Sequence, residues 1–217
     1  MGGRAHRRAP RGAQGKGFRA RGRDPRRSRC PRRRVARRPW RDRVARVAVN
    51  RLLTPRLELV QLDFAAIDAW VARDAGRLEK LTGARFPEPV DAPPLFDADL
   101  PRIRDSLAGG RTAGPWLFVL RETREPVGAG GTAAMGDGTL FLGYSVWPKH
   151  QRRGYASEAV LALCAHGMAQ PGVKRIRATI PVGNLASERV SERAGLKRVG
   201  KEFDPDAGEV GIFERAQ

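Results

Sequence analysis

Two cysteines, two tyrosines and three histidines in 217 residues leave little material for several common chemistries. Cys30 and Cys164 make neither a disulfide framework nor a thiolate metal site, each of which needs more ligands at closer spacing. His6, His150 and His166 show no ligand spacing with cysteines or paired carboxylates, so no metal is expected. No apolar run approaches the roughly 18–20 residues that a bilayer span requires. The stretch Val44 to Val49 is too short and too broken by arginine for a signal-peptide core. A reduced, cytoplasmic protein is the expectation that remains.

What the chain has in excess is arginine, and it is unevenly placed. Residues 1–50 carry 19 of the 42 Lys and Arg but 2 of the 23 Asp and Glu, so the remaining residues hold 23 against 21 and are near neutral. With almost nothing to bury, residues 1–50 cannot offset their ordering entropy and are expected to form a disordered extension to a domain over residues 51–217. Three readings compete for it. Dense arginine suits a nucleic-acid-binding arm; an Arg-rich, acid-poor segment also suits an organelle targeting peptide. The third reading is that high-GC sequence upstream of the true start has been translated, with Val44, Val47 or Val49 as the real first codon.

The body reads as one mixed α/β domain. Leu57 to Leu62 alternates as a half-buried strand, and Asp63 caps a helix to about Gly76 with Phe64, Ile67, Trp70 and Val71 on one face. Arg77 to Leu81 is open to a further helical turn, and a second helix opens at Asp99-Leu100-Pro101 and ends at Gly109-Gly110. Strands follow at Trp116 to Arg121, Pro126 to Met135 and Thr139 to Trp147. Gly-Ala-Gly-Gly in the second of these is not a dinucleotide fingerprint, because no helix follows it, and suits close packing or a bulge. A helix from Ser157, a strand from Val173 to Ile180, a helix from Asn184 to Ala194 and two final strands complete the order β-α-α-β-β-β-α-β-α-β-β.

Between the strand Thr139 to Trp147 and the helix after it lies Gln151-Arg152-Arg153-Gly154-Tyr155-Ala156. A basic, glycine-containing turn from strand into helix is an arrangement that cradles phosphate. The first helical N–H groups lack partners, the helix dipole is positive there, and Gly154 allows close backbone approach. The alternative is a solvated basic turn before an ordinary helix.

This order, with the turn in this place, resembles the GNAT superfamily of acetyl-CoA-dependent N-acetyltransferases, whose pyrophosphate motif Q/R-x-x-G-x-G/A is met by Gln151 to Ala156. Leu53 to Leu59 and Asn184 to Leu196 look like the RimJ/RimL-type branch, which includes enzymes acting on ribosomal-protein N-termini. The likeness covers about residues 52–215. It implies a single, largely antiparallel sheet, splayed between its fourth and fifth strands and flanked by helices. It also implies acetyl-CoA as co-substrate, no metal, and a monomer or homodimer. Backbone N–H groups of Arg152, Arg153, Gly154, Tyr155 and Ala156 would hold the pyrophosphate, with Gln151 at its edge. Val146 would pair its backbone with pantetheine and polarise the thioester, while Asn184 and Ser187 would face the same arm. Simple N-capping is the other account of Asn184 and Ser187.

The implied reaction is direct attack of a primary amine, a protein N-terminus or a small-molecule amine, on the acetyl carbon. The chain departs from the family in lacking the tyrosine that often serves as acid; Ser191 stands at that position. Tyr144, on the face shared with Val146, is a candidate base, with Glu122 and His150 also conceivable. Glu158 is expected to support the helix start, and Cys164 to be core. A competing reading is a non-catalytic CoA-binding domain with a nucleic-acid-binding arm. Acceptor specificity falls to residues 63–115 and to the turn Phe203 to Glu209, where Asp204, Asp206 and Glu209 either attract a cation or are merely solvated.

Overall fold

Leu57–Gln61 (β3), expected to bury one face, buries both: Leu57 and Leu59 enter one core, Val60 and the following Leu62 the other. A sheet covered by helices on both faces needs apolar residues at successive positions, which is why Trp-Leu-Phe-Val-Leu from Trp116 is uninterrupted. The carboxylate within the run, Glu58, is retained by ion pairs to Arg51 (2.6 Å) and Arg124. The computed structural model in which this is seen describes residues 45–48, 51–108 and 114–217.

Ala45–Ala48 (β1) lies inside the stretch expected to lack structure, yet it pairs antiparallel with Arg51–Leu53 (β2), a strand the sequence did not signal. The other residues of the expected extension lie outside those described. After β3 come three helices where two and a single helical turn were expected: Phe64–Val71 (α1), Ala75–Thr82 (α2), which takes in the turn at Arg77 to Leu81, and Phe96–Ala108 (α3). Asp63 caps α1 by accepting from Ala66 N at 2.9 Å, but the helix stops at Val71 rather than Gly76. Asp74 accepts from Arg77 N at 2.8 Å and so starts α2, with Arg73 (φ 56°) turning the chain between them. α3 begins at Phe96, upstream of the expected Asp99, because Phe96 is drawn into the core against Trp70 (ring centroids 5.3 Å), leaving Pro101 inside the helix.

Pro115–Leu120 (β4), Pro126–Ala134 (β5), Thr139–Val146 (β6), Tyr155–Met168 (α4), Arg175–Pro181 (β7), Leu185–Arg193 (α5), Lys197–Asp204 (β8) and Gly208–Ala216 (β9) follow in the expected order. The strands form one sheet in the order β1-β2-β3-β4-β5-β6-β7-β9-β8, antiparallel throughout except between β6 and β7. α1, α2 and α3 cover one face around Trp70, Leu117 and Trp147, and α4 and α5 cover the other around Phe118, Leu163 and Ile176. Each large side chain so buried is worth roughly 1.5–3 kcal/mol. Asp91 fastens the loop before α3 to this core: its carbonyl accepts from Trp70 Nε1 (2.9 Å) and its carboxylate from Trp147 Nε1 (3.0 Å).

Two features of the sheet position the site. β6 and β7 pair only from Thr139 with Arg175 to Phe141 with Arg177, then part, so β6 continues to Val146 with no strand on that side. β5 lies close on β4 and β6 through its glycines: a Cβ on Gly130 would stand 2.6 Å from Gly143 O, and one on Gly131 2.5 Å from Gly114 O. A bulge at Phe118–Val119 accompanies them.

Candidate active site at the parted strands

β6 ends with its hydrogen-bonding edge exposed. Trp147 N donates to Val127 O at 3.2 Å, which makes Gly128–Val146 a non-hydrogen-bonded pair of the antiparallel ladder. The N–H and C=O of Val146 therefore face away from β5, into the gap where β7 has departed. Gln151 Nε2 donates to Val146 O at 3.1 Å, so the N–H is left facing the gap.

The chain then makes a short 3-10 turn, Pro148–His150, and enters the motif. Arg152 (φ 61°) and Gly154 (φ 82°) both adopt left-handed backbone, which bends the turn so that α4 starts at Tyr155. A side chain at Gly154 would be strained by that φ, and its Cβ would meet Arg56 at 3.3 Å. No side chain caps α4, so its first N–H groups are available to an anion beside the exposed Arg152 and Arg153.

The carboxylate in the first turn of α4 is turned inward. Glu158 is buried and accepts from Thr54 Oγ1 (2.6 Å), Arg56 N (2.8 Å) and Arg56 Nε (2.7 Å). Arg56 in turn donates to Arg153 O at 2.9 Å and lies 4.7 Å above the Tyr155 ring. The turn before β3 thus clamps the motif from beneath and removes a negative charge from the helix mouth. Sequence reasoning missed Thr54 and Arg56. They fall within the stretch Leu53 to Leu59 that carries the resemblance, but about a hundred residues from the motif, and nothing local marks their contact with it.

A cavity of about 570 Å³ opens at the parting of the strands. It runs from Thr179 to Pro181 of β7, past Tyr144 and Ser145, to the α3 face bearing Phe96, Ile103 and Leu107. Asn184 and Ser187 line it at the start of α5. Asn184 also caps that helix, its Oδ1 accepting from Ser187 N at 3.1 Å, so capping and cavity lining coincide. Tyr144 donates its hydroxyl to Ser187 O at 3.2 Å, spanning the gap; burial pushes that hydroxyl's pKa up against the opposing pull of Ser187 and Ser191. Ser191 is wholly buried one turn deeper, does not line the cavity, and leaves its Oγ without a hydrogen-bond partner.

Other expected candidates are elsewhere. Glu122 is exposed on the turn after β4, and His150 is buried with Nε2 3.1 Å from Glu125 Oε1. Burial pushes His150 down despite Glu125, and it does not line the cavity. Cys164 is sealed in the core, where burial pushes its thiol up to about 12. In the turn before β9, Asp204 accepts from Asp206 N and Ala207 N, and Glu209 pairs with Lys201, so these carboxylates serve their own hairpin. Among the described residues no helix is long and apolar enough to cross a membrane.

Known proteins agree with this architecture. YjdG of Bacillus subtilis, an N-acetyltransferase by name, is 29% identical over 155 residues, 67% of this chain and 88% of its own. A GNAT-family acetyltransferase of Bordetella pertussis superposes with a TM-score of 0.55 at 26% identity, covering 77% of this chain and 99% of its own. RimL, a ribosomal-protein alpha-N acetyltransferase solved with coenzyme A, has the same fold, with a TM-score of 0.53 at 19% identity over 80% of this chain and 97% of its own. Residues 56–197 match the acetyltransferase (GNAT) domain, and the chain belongs to that family of acyltransferases.

Proposed function

We propose that this acetyltransferase uses acetyl-CoA and passes the acetyl group directly to a primary amine, either a protein N-terminal α-amine or the amine of a small molecule. The observation that carries the proposal is the continuity of two unfilled backbone edges: the Val146 N–H facing the gap, and the uncapped start of α4 behind Gly154. An extended pantetheine arm adds to β6 as a strand would, and the pyrophosphate it bears reaches the N–H groups of Arg152 to Ala156. Arg152 and Arg153 supply charge, and the Arg56–Glu158 pair holds the turn in shape. Asn184 and Ser187 border the arm from α5.

Acetyl-CoA brings an activated acyl group on a good leaving sulfur. The chain's task is to align that carbonyl with the amine and to polarise it; the Val146 N–H, facing the gap, supports its assignment as oxyanion donor. Removing one such donor elsewhere costs roughly 10²–10³ in rate. The amine enters from the α3 side of the cavity. Isothermal titration of acetyl-CoA into the wild-type chain and Gly154→Glu tests the reading. Binding to the wild type, lost in the variant, supports it; a folded wild-type protein that binds no acetyl-CoA overturns it. Release of CoA thiol with a panel of amines then separates a transferase from a domain that only binds.

A further inference from the structure

At the position where the family resemblance expects a tyrosine, this chain has Ser191, and the structure brings a different phenol into the neighbouring space. Tyr144 comes from β6, on the opposite side of the gap from α5. Its hydroxyl reaches Ser187 O at 3.2 Å, one helical turn before Ser191. The ring packs against the core that α4 and α5 cover. Ser191 Oγ is buried, has no hydrogen-bond partner, and is near enough to pull the pKa of the Tyr144 hydroxyl down against the upward push of burial. A small side chain at 191 leaves that room to Tyr144. Among the described residues lining the cavity, Asp99, Arg102 and Tyr144 are the titratable ones, and Asp99 is held by Arg102 at 2.6 Å out on α3.

We infer that Tyr144 is the proton donor of the transfer, with Ser191 as its supporting hydroxyl, so that the strand supplies the phenol that the helix lacks. The inference rests on the acetyl-CoA reading above. The amine nitrogen forms its bond to the acetyl carbon, the carbon–sulfur bond breaks, and its electron pair goes to sulfur, which takes the proton of Tyr144. The surplus proton of the attacking amine returns the phenolate to phenol, so amine and thioester become amide and thiol. While the phenolate exists, Ser191 Oγ donates to it and gains the partner it otherwise lacks. Burial keeps the Tyr144 hydroxyl protonated at neutral pH, the form an acid requires and a base does not have. This role differs from the base considered for it from sequence.

The test compares CoA with desulfo-CoA, which lacks the sulfur, by calorimetric titration of the full chain carrying Tyr144→Phe, Ser191→Ala or both. The wild type is expected to prefer CoA, and Tyr144→Phe to lose that preference while still binding desulfo-CoA. CoA release from acetyl-CoA should slow by about 100-fold in Tyr144→Phe, the lower end of acid–base contributions, with KM for acetyl-CoA changed little. Ser191→Ala should lower the preference less, and add nothing in the Tyr144→Phe background, because it acts through that phenol. An undiminished preference for CoA in Tyr144→Phe overturns the inference, as does equal weakening of both ligands, which is what a merely structural strap would give. A wild type that binds neither ligand overturns the acetyl-CoA reading itself, and this inference with it.

Discussion

Single residues here are set by what they are buried beside. Burial pushes the Glu58 carboxyl up, but Arg124 and Arg51 outweigh it and hold it below its ordinary 4.5. A lowered folded-state pKa contributes stability above the unfolded value and loses it as pH falls through the folded one. Unfolding followed by urea should therefore show stability falling below pH 4.5, with Glu58→Gln flattening that limb. Glu158 is bound differently, by three donors. Glu158→Ala is expected to cost about 2–3 kcal/mol, as for buried hydrogen bonds to a charge, and to weaken acetyl-CoA binding as the motif loosens. Arg56→Ala should cost only about 1 kcal/mol, its side chain being half exposed and screened, yet weaken binding comparably. Cys164, with its thiol pushed up to about 12, should resist alkylation in the folded protein, and Cys164→Ala should keep its turnover.

Among the elements, α3 and the end of β6 matter most to the chemistry. Along the cavity α3 presents Phe96, Ile103 and Leu107, while its charges there, Asp99 and Arg102, cancel in an ion pair. A polycationic acceptor finds no net attraction on such a wall, and an amine on an apolar body gains contact area. Phenethylamine should therefore exceed spermidine in kcat/KM by at least about 10-fold, within the range that apolar pockets discriminate. Arg102→Ala, which frees Asp99, should narrow that margin; an unchanged or reversed preference in the wild type would show that the amine does not lie along α3. The elements themselves were unevenly legible. The run Gln151 to Ala156 could be read as a phosphate-binding turn because strand, basic glycine turn and helix are contiguous in the chain. The break between α1 and α2 was not, since the apolar face through Trp70 and Val71 gave no hint that Asp74 would cap a helix of its own.

At the scale of the whole molecule, both cores are built from residues after Arg51, from Leu52 to Phe213. β1 adds a strand at the edge of the sheet next to β2. A chain beginning at Val49 is expected to fold and to bind acetyl-CoA with the affinity of the full chain; a large loss would assign residues 1–48 a part in the site.

Sequence alone determined what adjacency can determine: the order of strands and helices from β4 onward, the turn that enters α4, and Cys164 as core. The resemblance singled out Val146 and Ser191, and strand alternation put Tyr144 on the face of Val146. The tertiary structure decided what depends on distant segments meeting. It put Arg56 and Thr54 under the motif, parted β6 from β7 after Phe141, and gave Tyr144 rather than Ser191 the cavity wall. Periodicity fixes which side of an element a residue faces, but only packing fixes what stands opposite it, and the acidity of a phenol follows from that surrounding.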